Sequence, residues 1–199
     1  MPEEDEREIL HALETPDRLV TTLEKFTLPE VRSAIKQLRS KQAPGRDLIT
    51  GKIVQELPDI GIIAITQIIN SVLRTGYFRG QWKVSYIIIV LKPGKTAEEV
   101  MSYRPTSLLP IFSILYEKLF LTRIKPLSQE TRIIPDHQLC FRQKHSTTEQ
   151  VHRITNVINK ALESKTCCAA ALLDSGKTFD KVWHEGLLYK IKTLFPASI

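Results

Sequence analysis

The sequence predicts a mixed domain of α/β or α+β class, and three observations carry that prediction. Apolar residues recur at helical spacing in several segments, two short apolar runs at 86–91 and 166–173 have the composition of buried strands, and the two kinds of segment alternate. With 199 residues, 42% of them hydrophobic and 25% charged, the chain can bury a sizeable core. It contains no internal repeat and no low-complexity tract.

In chain order, Thr27-Leu28-Pro29-Glu30 is a capping box with proline in the first turn, and Val31, Ala34, Ile35 and Leu38 follow on one face. This predicts an amphipathic helix over about 28–39. Pro44 and Gly45 within Gln42-Ala43-Pro44-Gly45-Arg46-Asp47 end it in a loop flanked by Lys41, Arg46 and Lys52. A mostly buried helix is expected over 60–73, stopped by Thr75-Gly76. Tyr86-Ile87-Ile88-Ile89-Val90-Leu91 is continuous and β-branched, the pattern of a strand buried on both faces, and Lys92-Pro93-Gly94-Lys95 is the turn that ends it.

After Tyr103-Arg104-Pro105 a long helical pattern covers about 111–124, and 134–144 is irregular. Ser146-Thr147-Thr148-Glu149 is a second capping box, opening a helix whose apolar face is Val151, Ile154, Ile158, Ala161 and Leu162 and which ends near Ser164. A second buried strand is expected over 166–173. A last helix carries Leu187, Leu188, Ile191 and Leu194, with His184 and Glu185 at its start.

The net charge is +6, unevenly spread: residues 1–40 hold nine acids and six bases, the remainder thirteen acids and twenty-two bases. Such a basic remainder suits a polyanionic partner such as nucleic acid, and equally a merely basic solvated surface. Cys140, Cys167 and Cys168 form neither a disulfide framework nor a Cys-x-x-Cys zinc spacing. The acidic start of the chain does not resemble a signal peptide, and no apolar run reaches the roughly 20 residues of a membrane span. An intracellular protein, nuclear or cytoplasmic, is the expectation.

Asp174 follows the second apolar run directly. Judged alone it is either a turn-capping carboxylate or a ligand for a hard divalent cation such as Mg²⁺, held rigidly at a strand end. Lys92, Lys95 and Arg104 would converge if a hairpin closes after 91, forming either a cationic clamp for a triphosphate or a solvated turn. Neither a Walker phosphate loop nor a nucleophile elbow occurs, and the histidines show no metal-binding spacing.

Five blocks then fall into a known order. Lys41-Gln42-Ala43-Pro44-Gly45-Arg46-Asp47 is the first, followed by Trp82 with Ile88 to Lys95 and by Tyr103-Arg104-Pro105-Thr106-Ser107-Leu108-Leu109. Ile134-Pro135-Asp136-His137-Gln138-Leu139-Cys140-Phe141-Arg142 with His145-Ser146-Thr147, and Leu173-Asp174 to Trp183-His184 with Gly186-Leu187-Leu188, complete the set. Together they resemble the reverse transcriptases of non-LTR retrotransposons, those of jockey-like elements above all, over nearly the whole chain.

The resemblance implies an incomplete right-hand polymerase: an N-terminal extension over 1–40, fingers over 41–165, and the start of the palm over 166–199. It implies an RNA template, a DNA primer and deoxynucleoside triphosphates as partners. Asp174 matches the first palm aspartate, which binds catalytic Mg²⁺, and Phe179 the aromatic that packs under the sugar and excludes a 2′-hydroxyl. Lys92 and Arg104 match finger residues that grip the triphosphate. Gln138, Phe141 and Arg142 match the segment along the template.

The chain departs from the family pattern at Cys140, where the family has glycine, and at Thr106, Ser175 and Thr178. No Tyr-x-Asp-Asp, source of the remaining palm aspartates, occurs within the 199 residues. The expectation is therefore a truncated polymerase, inactive as given. A non-catalytic nucleic-acid-binding fragment is the alternative, and a fragment unable to fold alone is a third reading.

Overall fold

Residues 3–15, 24–130, 133–135, 137–139, 142, 145–173 and 181–194 are described by the computed structural model. The chain divides into two units, one formed by 1–18 with 127–197 and the other by 19–126 with 198–199.

In the second unit, Thr27 starts helix α2 (Leu28–Lys36); α1 (Glu3–Glu14) belongs to the first unit. The capping box forms as predicted: the Glu30 N–H donates to the Thr27 hydroxyl, and the Thr27 N–H donates to the Glu30 carboxylate at 2.8 Å. The helix ends three residues before the predicted 39. Gln55 Nε2 donates to the carbonyls of Ile35, Lys36 and Leu38, so a side chain from the next helix takes up carbonyls that a longer helix would have used itself. Gln55 closes α3 (Gly51–Gln55).

Helix α4 (Asp59–Thr75) ends at Gly76 with φ +63, as the Thr75-Gly76 signal predicts. It is amphipathic where a mostly buried helix was expected: Ile62, Ile65, Ile69, Val72 and Leu73 are buried, whereas Ile60, Ile63 and Ile68 face solvent. Helix α5 (Ile111–Glu130) runs beyond the predicted end and through Pro126. Phe26, Val31, Ile35, Val54, Ile69 and Leu115 are central to the one core that α2, α3, α4 and α5 share. Asn70 clamps Phe26 into it, its amide donating to the Phe26 carbonyl at 2.8 Å and its oxygen accepting from the Phe26 N–H at 2.7 Å. Phe78, Trp82, Phe112, Tyr116 and Phe120 form an aromatic cluster on the same core, and burial there pushes the Tyr116 hydroxyl pKa up.

Strands β1 (Tyr86–Leu91) and β2 (Tyr103–Leu108) pair antiparallel, Tyr86 opposite Leu108 and Leu91 opposite Tyr103. The predicted strand exists, but its predicted burial does not. All six residues of β1 are between 41% and 66% exposed, because a two-stranded ribbon with no described segment packed on either face buries neither. A continuous apolar run specifies a strand, not what covers it.

In the first unit, α1 (Glu3–Glu14) packs on α7 (His184–Leu194). Lys192 of α7 donates to the carbonyls of Ala12 at 2.8 Å and Thr15 at 2.6 Å, supplying a cation where the α1 dipole leaves partial negative charge. Helix α6 (Thr147–Glu163) begins with Ser146 as cap, but only half of the predicted box forms: the Glu149 N–H donates to Ser146, while the Glu149 carboxylate pairs with His145 Nδ1 at 2.8 Å. Its apolar face, Val151, Ile154, Ile158 and Leu162, is exposed.

The strand predicted over 166–173 is not formed. These residues are irregular and exposed, Leu172 at 94% and Leu173 at 97%, since no described segment offers this stretch ladder hydrogen bonds. Among the described residues no helix is long and apolar enough to cross a membrane.

Candidate nucleotide and nucleic-acid site

Local turn chemistry shapes the closed end of the hairpin. Pro93 presets its own φ, Gly94 adopts φ +73, and the Lys95 N–H donates to the Lys92 carbonyl at 3.2 Å, the arrangement of a type II turn. The Lys92 N–H donates to the Ser102 carbonyl at 2.8 Å and so continues the ladder one step past Leu91 and Tyr103. Arg104 lies opposite Val90, and strand alternation places Val90, Lys92 and Arg104 on one face. Lys92 and Arg104 are thus diagonal neighbours, about 7–8 Å apart at their Cα atoms. The hairpin brings together Lys92 and Arg104, two of the three cations that the sequence singled out, and leaves Lys95 as the last residue of the turn.

The Lys92 ammonium donates to the Met101 carbonyl at 2.7 Å, and the Tyr103 hydroxyl donates to the Ala97 carbonyl at 2.8 Å. Ser102 is buried, and its hydroxyl finds no hydrogen-bond partner among the described residues. Sequence reasoning missed the hold that Met101 has on Lys92, because a backbone acceptor nine residues away leaves no trace in side-chain identity.

The loop around Gly45 reaches the open end of the same hairpin. A Cβ at Gly45 would sit 2.6 Å from Leu109 C and Pro110 N, so only glycine permits this approach to the chain leaving β2. Arg46 and Asp47 are thereby set beside Pro110 and Phe112 around a hollow.

Gln138 and Arg142 belong to the first unit. The Gln138 N–H and an Arg142 guanidinium N–H both donate to the Pro135 carbonyl, at 3.0 and 3.3 Å, which gathers the two onto one turn. Arg153 of α6 donates to the neighbouring His137 carbonyl at 3.5 Å. Phe141, Asp174 and Phe179 lie outside the described residues. Among the described residues no three His, Cys, Asp or Glu side chains converge, so they do not assemble a ligand set for a divalent cation.

Residues 90–198, more than half of the chain, match the family model of the reverse transcriptase (RNA-dependent DNA polymerase). The chain is 43% identical over 98% of its length to a probable RNA-directed DNA polymerase from transposon BS of Drosophila melanogaster. It is 43% identical over its whole length to the RNA-directed DNA polymerase from mobile element jockey of the same fly, and 40% identical over 92% to the probable polymerase from transposon X-element. In each case the chain spans about a fifth of the relative's own length, 21%, 22% and 21% in that order.

Proposed function

The chain belongs to the reverse transcriptase (RNA-dependent DNA polymerase) family, and from that premise we propose that its residues form the fingers and first palm segment of a right-hand RNA-directed DNA polymerase of a non-LTR retrotransposon. The substrates are deoxynucleoside triphosphates, with an RNA template and a DNA primer. The observation that carries the reading is the β1–β2 hairpin, which sets half-buried Lys92 and exposed Arg104 as diagonal neighbours on one face. A point charge beside a planar guanidinium suits a polyphosphate, one neutralising and the other binding oxygens in pairs.

In this reading the Lys92 ammonium exchanges the Met101 carbonyl for phosphate oxygens when the triphosphate arrives, and Arg104 fixes the orientation of the phosphate chain. Gln138, Phe141 and Arg142 lie along the template backbone, contacts that position the strand without reading its sequence. Phe179 packs under the incoming sugar and rejects a 2′-hydroxyl. Asp174 is one Mg²⁺ ligand, short of a site by itself. Held by Asp174 together with further acids, a Mg²⁺ ion would supply activation of a primer hydroxyl and neutralisation of charge on phosphoryl oxygens.

The 199-residue polypeptide, containing no Tyr-x-Asp-Asp, is expected to bind RNA without extending a primer. Its affinity should fall linearly with salt on logarithmic axes, and Arg142→Ala should lower the slope. Primer extension by the polypeptide alone would contradict the assignment of its missing acids. Failure to bind RNA even at low salt would remove the reading altogether.

A further inference from the structure

We propose that the hollow at the open end of the β1–β2 hairpin holds a single nucleobase of the RNA template, with Arg46 on the adjoining phosphate. The hollow encloses about 500 Å³, within the range of small-ligand sites. Its lining divides by chemistry. Trp82, Pro110 and Phe112 make an apolar floor, with the Trp82 and Phe112 rings 6.4 Å apart and inclined by 25°. Gln81, Asp47 and Arg46 stand at the rim, all three exposed.

This combination selects a planar heterocycle. An apolar face lies on the floor, a ring edge carrying both donors and acceptors meets the Gln81 amide, and an exocyclic amine donates to Asp47. One Asp47 oxygen already accepts from the Ile49 N–H at 3.2 Å, which holds the carboxylate in place and leaves its second oxygen for a ligand. Arg46 adds the charge that favours a nucleotide over a free base.

Position supports the same occupant. Val84 and Pro110 flank the hairpin where it leaves the core, and Lys92 marks its far end. Six paired residues separate the two ends, about 20 Å, the length of about six stacked nucleotides. Resting on the polymerase reading, the inference adds a second grip on the template, some six nucleotides from the triphosphate clamp.

The test uses the 199-residue chain with Trp183→Phe, which leaves Trp82 as the sole tryptophan. Adenosine monophosphate and an oligoadenylate of about ten nucleotides should each quench Trp82 fluorescence saturably. Gln81→Ala and Arg46→Ala should each weaken adenosine monophosphate by about tenfold, and Arg74→Ala, which removes an exposed cation outside the hollow, should leave that quenching unchanged. Because Arg46 and Gln81 are exposed, an unchanged thermal melt by circular dichroism verifies that the variants fold. Salt-dependent RNA binding without Trp82 quenching, or quenching indifferent to both variants, would overturn the pocket and leave the polymerase reading standing. Absence of any RNA binding would overturn both.

Discussion

Gly45 and Glu30 show how single residues hold the second unit in shape. The atoms that a Cβ at Gly45 would strike belong to the backbone at Leu109 and Pro110, so no rotamer change relieves the overlap. Gly45→Ala is expected to cost about 1–3 kcal/mol, read from urea denaturation of the purified chain. Glu30 works through charge. The Thr27 N–H that donates to its carboxylate, with further help from the Thr27 hydroxyl and Arg123, holds its pKa below the ordinary 4.5 against the opposing effect of burial. A depressed folded-state pKa means that this stabilisation is fully present above the unfolded value and fades as pH falls through the folded one. Melting temperatures measured downward from pH 6 should therefore drop less steeply below about 4.5 in Glu30→Gln than in the parent chain. Both residues were visible in the sequence, Glu30 through its capping box and Gly45 through its place beside proline. The role of Asn70 was not, since its partner at Phe26 is 44 positions away.

Among the elements, the pairing of α1 with α7 rests on an unusual contact, Lys192 reaching two carbonyls at the end of α1. Lys192→Met keeps most of the aliphatic stem and removes the donor. Amide hydrogens of α1 should then exchange several-fold faster while those of α4 keep their protection, and unchanged exchange in α1 would show the contact to be incidental. Element identity was largely legible: α2, α4, α5, α6, α7, β1 and the turn at Pro93-Gly94 all stand where periodicity and punctuation put them. Element ends were less so, as at α2, where Gln55 competes for its carbonyls. The strand expected over 166–173 failed for a related reason. Its composition suits a sheet, but a strand exists only when a neighbour completes its hydrogen bonds.

At the scale of the whole molecule, apolar surface stays uncovered on the hairpin, on α6 and at Leu172 and Leu173. A ribbon with two open edges and apolar faces invites pairing with another copy. The isolated 199-residue chain is expected to self-associate with rising concentration, and Ile89→Lys, which places a charge in the middle of β1, should shift the association to several-fold higher concentration in sedimentation velocity. Association that ignores this substitution would place the contact elsewhere.

The sequence by itself determined what depends on neighbours in the chain. Caps, helix faces, the type II turn and the ordered blocks of the polymerase family are carried by residues a few positions apart, and their chemistry acts at that range. Only the tertiary structure decided which apolar faces are covered, that Lys92 rests on Met101 within reach of Arg104, and that Arg46, Gln81 and Trp82 border one hollow. Each of these depends on packing between distant segments, where the energy lies in contacts that no local pattern encodes.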